Sequence, residues 1–238
     1  MQDKQHGFIG INVFAYWIVP LTNTTEDAIA AQRVQDFMIG WYLDPLVYGD
    51  YPDVMRKNVG SRLPAFTTLE SNQVKGSLDF VGVNYYNTLY VKDNSRKLEA
   101  DVRNFDADMA VDLILITNPA FNVLAGQRTR HNSSLEDWPR VKSLHGYIGG
   151  LLEALRNGSN ARGYFQWSFL DLFEMLDGYE SSYGLYYIGL DDPDLKRQPK
   201  LSAYWYSHFL KRKGDSSDGF IELEKNLTAL PSHAYFFQ

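Results

Sequence analysis

From Gly163 to Glu174 the sequence runs Gly-Tyr-Phe-Gln-Trp-Ser-Phe-Leu-Asp-Leu-Phe-Glu, and several of its residue types could act on a ligand. Asp171 and Glu174 are carboxylates that accept hydrogen bonds from hydroxyl groups, and Trp167 offers a flat apolar face on which a sugar ring can stack. The aromatic run 163–169 reads as a short buried strand, with Ser168, Asp171 and Glu174 at its C-terminal end, which is where barrel strands present side chains to ligands. A parallel strand buried on both faces has no structural use for acidic residues after its last core position. The same residues also fit a core tryptophan followed by a solvated helix start, so both readings stand on this stretch alone.

Other chemistries find less support. The chain has 238 residues, a net charge of −6 and no cysteine, which excludes disulfides, thiolate catalysis and cysteine metal sites. Its 5 histidines lie far apart, with no pair at metal-ligand spacing on one helix, so neither a metal nor a cofactor is expected. Basic residues are scattered, and Lys211-Arg212-Lys213 reads as a helix C-terminus rather than a phosphate-binding patch, so no nucleic-acid partner is expected. No run approaches the roughly 18 apolar residues of a membrane span, and Met1 to His6 lacks the apolar region of a signal peptide. Asn23, Asn132, Asn157 and Asn226 each open an N-glycosylation pattern, which suggests a secretory protein whose beginning lies outside these residues.

The elements that would position such a site can be traced in order. Gly7 to Asn12 reads as a strand. Thr24 or Thr25 caps a helix with Glu26 and Asp27 in its first turn and Ala30, Val34, Phe37, Met38 and Trp41 on one face, and Asp44-Pro45 should end it. A short helix is expected over Val54 to Val59, a second strand over Leu78 to Tyr86, a surface excursion over Lys92 to Asp108, and a third apolar run at Leu113 to Ile116. Arg140 to Arg156 forms an amphipathic helix stopped by Asn157-Gly158, and Leu201 to Lys213 a final one. Strands alternating with helices argue for parallel β/α units, about four of them, half the number that closes an eightfold barrel.

Ordered motifs give a resemblance that spans nearly the whole chain. Gly7-Phe8-Ile9-Gly10-Ile11, Gln35-Asp36-Phe37 with Gly40-Trp41-Tyr42-Leu43-Asp44-Pro45, Tyr51-Pro52, Gly60-Ser61-Arg62-Leu63-Pro64-Ala65-Phe66, Asp79-Phe80-Val81-Gly82-Val83-Asn84-Tyr85-Tyr86, Trp167 to Glu174, and Leu195-Lys196-Arg197-Gln198-Pro199-Lys200 together resemble plant β-glucosidases of glycoside hydrolase family 1. The resemblance implies an α/β fold, the C-terminal half (strands five to eight) of a (β/α)8 TIM barrel, with residues 1–238 forming one partial barrel domain. It implies hydrolysis of O-glycosyl bonds in β-glucosides with retention, using two carboxylates about 5 Å apart, one as acid/base and one as nucleophile. The acid/base motif is expected upstream of Met1. The segment Asn118 to Thr129 aligns with the family's nucleophile segment, but the acidic position falls at Leu124 or Ala125, and no Asp or Glu occurs between Asp112 and Glu136. A helix that should precede this segment is also missing, as though an internal piece were deleted.

Carried over residue by residue, the resemblance makes Trp167 the platform for the innermost glucose and Glu174 an acceptor for its hydroxyls. Asn84 would lie near the reacting ring and Tyr86 would hydrogen-bond the nucleophile. Met175 stands where many relatives have a second Trp, and Tyr183 replaces a frequent Phe. The expected partner is a β-glucoside or oligosaccharide, in an extracellular or vacuolar setting, with no oligomeric state indicated. Two functions are thus in view: a β-glucosidase-type hydrolase whose chain is inactive by itself, and a non-catalytic glycan-binding or interaction module.

Overall fold

A computed structural model describes residues 6–114, 135–175 and 178–211. Its contacts divide the chain into two units, 1–117 and 118–238. In the first unit, β1 (Gly10–Pro20) pairs in parallel with β2 (Phe80–Asp93). β1 thus starts three residues later than expected and runs well beyond Asn12. A register shift between Ala15 and Trp17 moves burial from Val13 and Ala15 to Ile18, because one extra residue in a ladder exchanges the two faces of the strand. Gly82 lies close under Asn12: a Cβ there would sit 1.8 Å from Asn12 Oδ1, so the Asn12 side chain would have to move.

The crossover between these strands carries the helices. α1 (Thr25–Gln35) is capped by the Thr24 side chain, which accepts from the Asp27 amide, as the Thr-Thr-Glu-Asp run predicts. The apolar face of α1 and the turn after it lays Ala30, Val34 and Phe37 against Ile18, Leu89 and Val91, with Met55, Met109 and Val111 completing the core.

Proline does not end the helix here. A π-helical turn at Asp36–Gly40 leads into α2 (Trp41–Tyr48), which contains Pro45, so the proline removes a backbone donor without stopping the helix. Termination comes instead at Gly49, in the left-handed region at φ 92°, whose amide bonds the Asp44 and Pro45 carbonyls. α3 (Asp53–Val59) falls where expected, a single 3-10 turn follows at Gly60–Arg62, and α4 (Thr68–Val74) opens on a complete Thr67/Glu70 capping box. The Thr-x-x-Glu spacing is the sequence signature of such a start.

The stretch from Lys92 to Asp108 lies mostly at the surface, as expected, but it is ordered and its end is buried. It completes β2, makes a 3-10 turn at Ser95–Glu99 and forms α5 (Phe105–Met109), with Ala107, Asp108 and Met109 buried. Its charges neutralise one another: Asp108 Oδ1 accepts from Arg62 and Arg103 at 2.6 Å each, and Arg33 reaches Asp93 at 2.7 Å and the Met109 and Ala110 carbonyls. β3 (Val111–Ile114) then pairs antiparallel to β2, so it is a returning strand and not a further parallel β/α unit.

In the second unit α6 (Trp138–Arg156) begins two residues before Arg140, with Pro139 in its first turn, and stops at Asn157 and Gly158. Its buried residues Val141, Leu144 and Ile148 pack with Leu185, Leu201, Ala203 and Trp205, whereas Leu152 and Leu155 of the predicted apolar face are exposed. β4 (Tyr186–Ile188) and β5 (Arg197–Pro199) form a small antiparallel pair leading into α7 (Leu201–Lys211); Arg212 and Lys213 lie outside the described residues. The expected buried strand at 163–169 is corrected. Only 168–171 pairs, running beside 183–186 through Ser168 N–H to Tyr183 O (3.1 Å), Leu185 N–H to Ser168 O (2.8 Å) and Asp171 N–H to Tyr186 O (3.0 Å). Phe165 is 94% exposed, because aromatic content buries a segment only where another layer covers it. Among the described residues no helix is long and apolar enough to cross a membrane.

Candidate functional site

The chemically promising stretch follows α6 and reaches its end through the short pairing with 183–186. Trp167 is 48% exposed and its indole Nε1–H donates to Glu174 Oε1 at 3.2 Å. Glu174 is itself held by a closed backbone pair, its amide to the Gly178 carbonyl at 2.7 Å and the Gly178 amide to its carbonyl at 2.8 Å. A half-open indole and a half-buried carboxylate are therefore fixed side by side. The ring face can stack on an apolar sugar face while the carboxylate accepts hydroxyl hydrogens. The peptide between Trp167 and Ser168 is cis. Met175, the next residue, is 92% exposed.

Ser168 and Asp171 do not share that role. Both are buried, and the Ser168 hydroxyl donates to the Leu170 carbonyl at 2.8 Å. Asp171 accepts from Lys200 Nζ (2.8 Å), Ser182 Oγ (2.6 Å) and the Gly184 amide (2.9 Å). Burial pulls the Lys200 ammonium below its usual range, opposed by its bonds to Asp171. Asp171 is thus the counter-ion of an internal lysine, and this takes up its acceptor capacity.

A residue that sequence reasoning missed stands behind the platform. Arg140 is buried, and its guanidinium donates from Nη1 to the Trp167 carbonyl at 3.0 Å and from Nη2 to the Tyr183 carbonyl. It also lies 6.0 Å from the Tyr183 ring centre. Gln166 Nε2 meets the same Trp167 carbonyl at 2.6 Å. One signal for Arg140 was available: a cation in the first turn of a helix opposes the macrodipole and calls for a reason.

The other expected residues fall as follows. Asn84 lies on β2 of the first unit, exposed and in register with Phe14; Tyr86 follows on the same strand. Tyr183 is half-buried in the second unit. Asn23 and Asn157 are exposed. Leu124, Ala125, Asn132 and Asn226 lie outside the described residues. Among the described residues no group of three or more His, Asp or Glu could hold a metal ion.

With this geometry established, comparison with known proteins is informative. The chain is 50% identical over 239 aligned residues to beta-glucosidase 11 of Arabidopsis thaliana, which covers 88% of this chain and 46% of the relative. It is 41% identical over 268 residues to beta-glucosidase 1 of the same plant, covering 96% and 52%. The chain thus spans about half the length of these curated relatives. The crystal structure of a rice β-glucosidase superposes with a TM-score of 0.80 at 33% identity, over 89% of this chain and 53% of that one, which places the fold as part of a (β/α)8 barrel. The model of the family described as Glycosyl hydrolase family 1 matches residues 1–113 and 112–215. These matches, covering most of the sequence and including the Trp167–Glu174 pair, show that the chain belongs to glycosyl hydrolase family 1.

Proposed function

We propose that the chain supplies the glucose-gripping part of a β-glucosidase-type hydrolase, as one partial barrel domain over residues 1–238 corresponding to strands five to eight, and that its nucleophile position carries no carboxylate. The observation that carries this reading is the Trp167–Glu174 pair, fixed at 3.2 Å with the ring open. Trp167 stacks on the glucose ring, worth about 1 kcal/mol beyond the area it buries. Glu174 accepts the sugar hydroxyls, while Asn84 and Tyr86, in the first unit, carry by resemblance alone the family positions for ring contact and for the nucleophile's hydrogen bond. Met175 removes the contact that a tryptophan would make there, and Tyr183 adds a hydroxyl.

Three facts support the absence of the nucleophile. No acidic residue occurs between Asp112 and Glu136, where the nucleophile position falls at Leu124 or Ala125. The family match comes in two pieces that meet at residues 112–113. The alignment to beta-glucosidase 1 runs over 268 positions although this chain has 238 residues, so that relative carries residues with no counterpart here. A retaining hydrolase needs both carboxylates, and Asp171 cannot stand in for one while it neutralises Lys200. The chain therefore binds and orients a β-glucoside without cleaving it. The exposed Asn23 and Asn157 accept N-glycans in a secretory compartment.

The test is calorimetric titration with methyl β-D-glucoside. The reading expects saturable one-to-one binding, weakened about tenfold or more in Trp167→Ala and in Glu174→Gln; binding that both variants retain in full would place the sugar elsewhere.

A further inference from the structure

Arg140 carries two costs that a structural cation on a helix ordinarily avoids. It sits in the first turn of α6, where the helix dipole opposes a positive charge, and its guanidinium is withdrawn from water. Its hydrogen bonds go to main-chain carbonyls, and these two are not arbitrary. One belongs to Trp167, the residue whose ring is open to solvent. The other belongs to Tyr183, whose carbonyl also accepts the Ser168 amide at 3.1 Å. The fork therefore spans the two segments that meet under the platform, and Gln166 fixes the Trp167 carbonyl from its own side chain. Lys200, Asp171 and Ser182 form a neighbouring buried cluster, coupled to Arg140 by charge, with hydrogen bonds that run among its members and with the Gly184 amide.

We propose that Arg140 is a positioning residue for sugar binding: bridging the Trp167 and Tyr183 carbonyls, it sets the attitude of the indole plane and its reach to Glu174. The proposal rests on Trp167 and Glu174 being the sugar-gripping pair. The planar guanidinium holds two acceptors at a fixed separation, whereas an ammonium is a point donor on a flexible stem and cannot impose that geometry. A small tilt of the ring costs binding because both stacking and the hydroxyl contact depend on it.

The experiment is calorimetric titration of the whole chain with methyl β-D-glucoside, comparing wild type, Arg140→Lys and Ser182→Ala, with the unfolding midpoint of each recorded. Positioning predicts that Arg140→Lys raises Kd about tenfold, the equivalent of one charge-assisted hydrogen bond, at unchanged stoichiometry. Ser182→Ala should lower the midpoint and leave Kd as in wild type. A purely structural role would instead lower the stoichiometry of Arg140→Lys while its Kd stayed at the wild-type value, and that result overturns the proposal. If Arg140→Lys is partly unfolded, trimethylamine N-oxide, which strengthens burial, restores the folded fraction and Kd is read there. Wild type that fails to bind would remove the underlying sugar-site reading and the proposal together, whereas binding by wild type with an unchanged Kd in Arg140→Lys removes the proposal alone.

Discussion

Three positions separate Asp171 from Glu174, yet their environments assign them opposite work. Asp171 faces an equally buried ammonium at 2.8 Å, so Asp171→Asn would leave Lys200 charged and uncompensated. Urea unfolding should show a loss of about 3–5 kcal/mol. Glu174→Gln keeps an oxygen for the indole N–H and should change stability by no more than about 0.5 kcal/mol in the same assay, while weakening sugar binding. A sequence cannot separate these carboxylates, because the partner that decides the matter, Lys200, is 29 residues away from Asp171. Trp167 and Glu174 could be singled out as an indole and a carboxylate at the end of an aromatic run, and the structure joins them by a hydrogen bond at 3.2 Å. Asp27 gives a pH prediction. The Asp93 amide and the Thr22 hydroxyl hold its carboxyl below the ordinary value of 3.8. Its contribution to stability is therefore complete above that value and is lost as the pH falls through the lowered one. The thermal midpoint of wild type should decline below pH 3.8 more steeply than that of Asp27→Asn, which has no proton to take up there.

The helices that could be read were those with both a period and punctuation. α1 announces itself by Thr24 with two acids behind it, α3 by its position after Pro52, and α6 by its apolar spacing ending at Asn157-Gly158. Pro45 misled because a proline costs a helix a hydrogen bond without always ending it, and the π-helical turn at Asp36–Gly40 has no simple sequence signature. The antiparallel direction of β3 was illegible because direction is set by how residues 95–110 return, and that stretch lies mostly at the surface with little apolar period to show its turn and helix. Gly49 marks the true end of α2 and supplies the prediction at this scale. An added Cβ would be strained at φ 92° and would meet Ser71 Oγ at 2.6 Å. Gly49→Ala should cost about 1–3 kcal/mol in chemical denaturation.

At the scale of the molecule, the family and the barrel class were legible from motifs whose order is preserved along the chain. The state of the aromatic strand was not, since burial of 163–167 depends on neighbouring layers and not on its own composition. The proposed function is of a sugar-holding surface without the nucleophile of its family: the Trp167–Glu174 pair supports the first part, and the run without acids from Leu113 to Leu135 supports the second. Both halves meet in one measurement, equilibrium dialysis of the whole chain against 4-nitrophenyl β-D-glucoside with both chambers assayed for intact glucoside and free nitrophenol. The account predicts that intact glucoside accumulates in the protein chamber up to one equivalent and that no nitrophenol forms above the buffer control. Release of nitrophenol with turnover, or no accumulation of glucoside at saturating concentration, would contradict it.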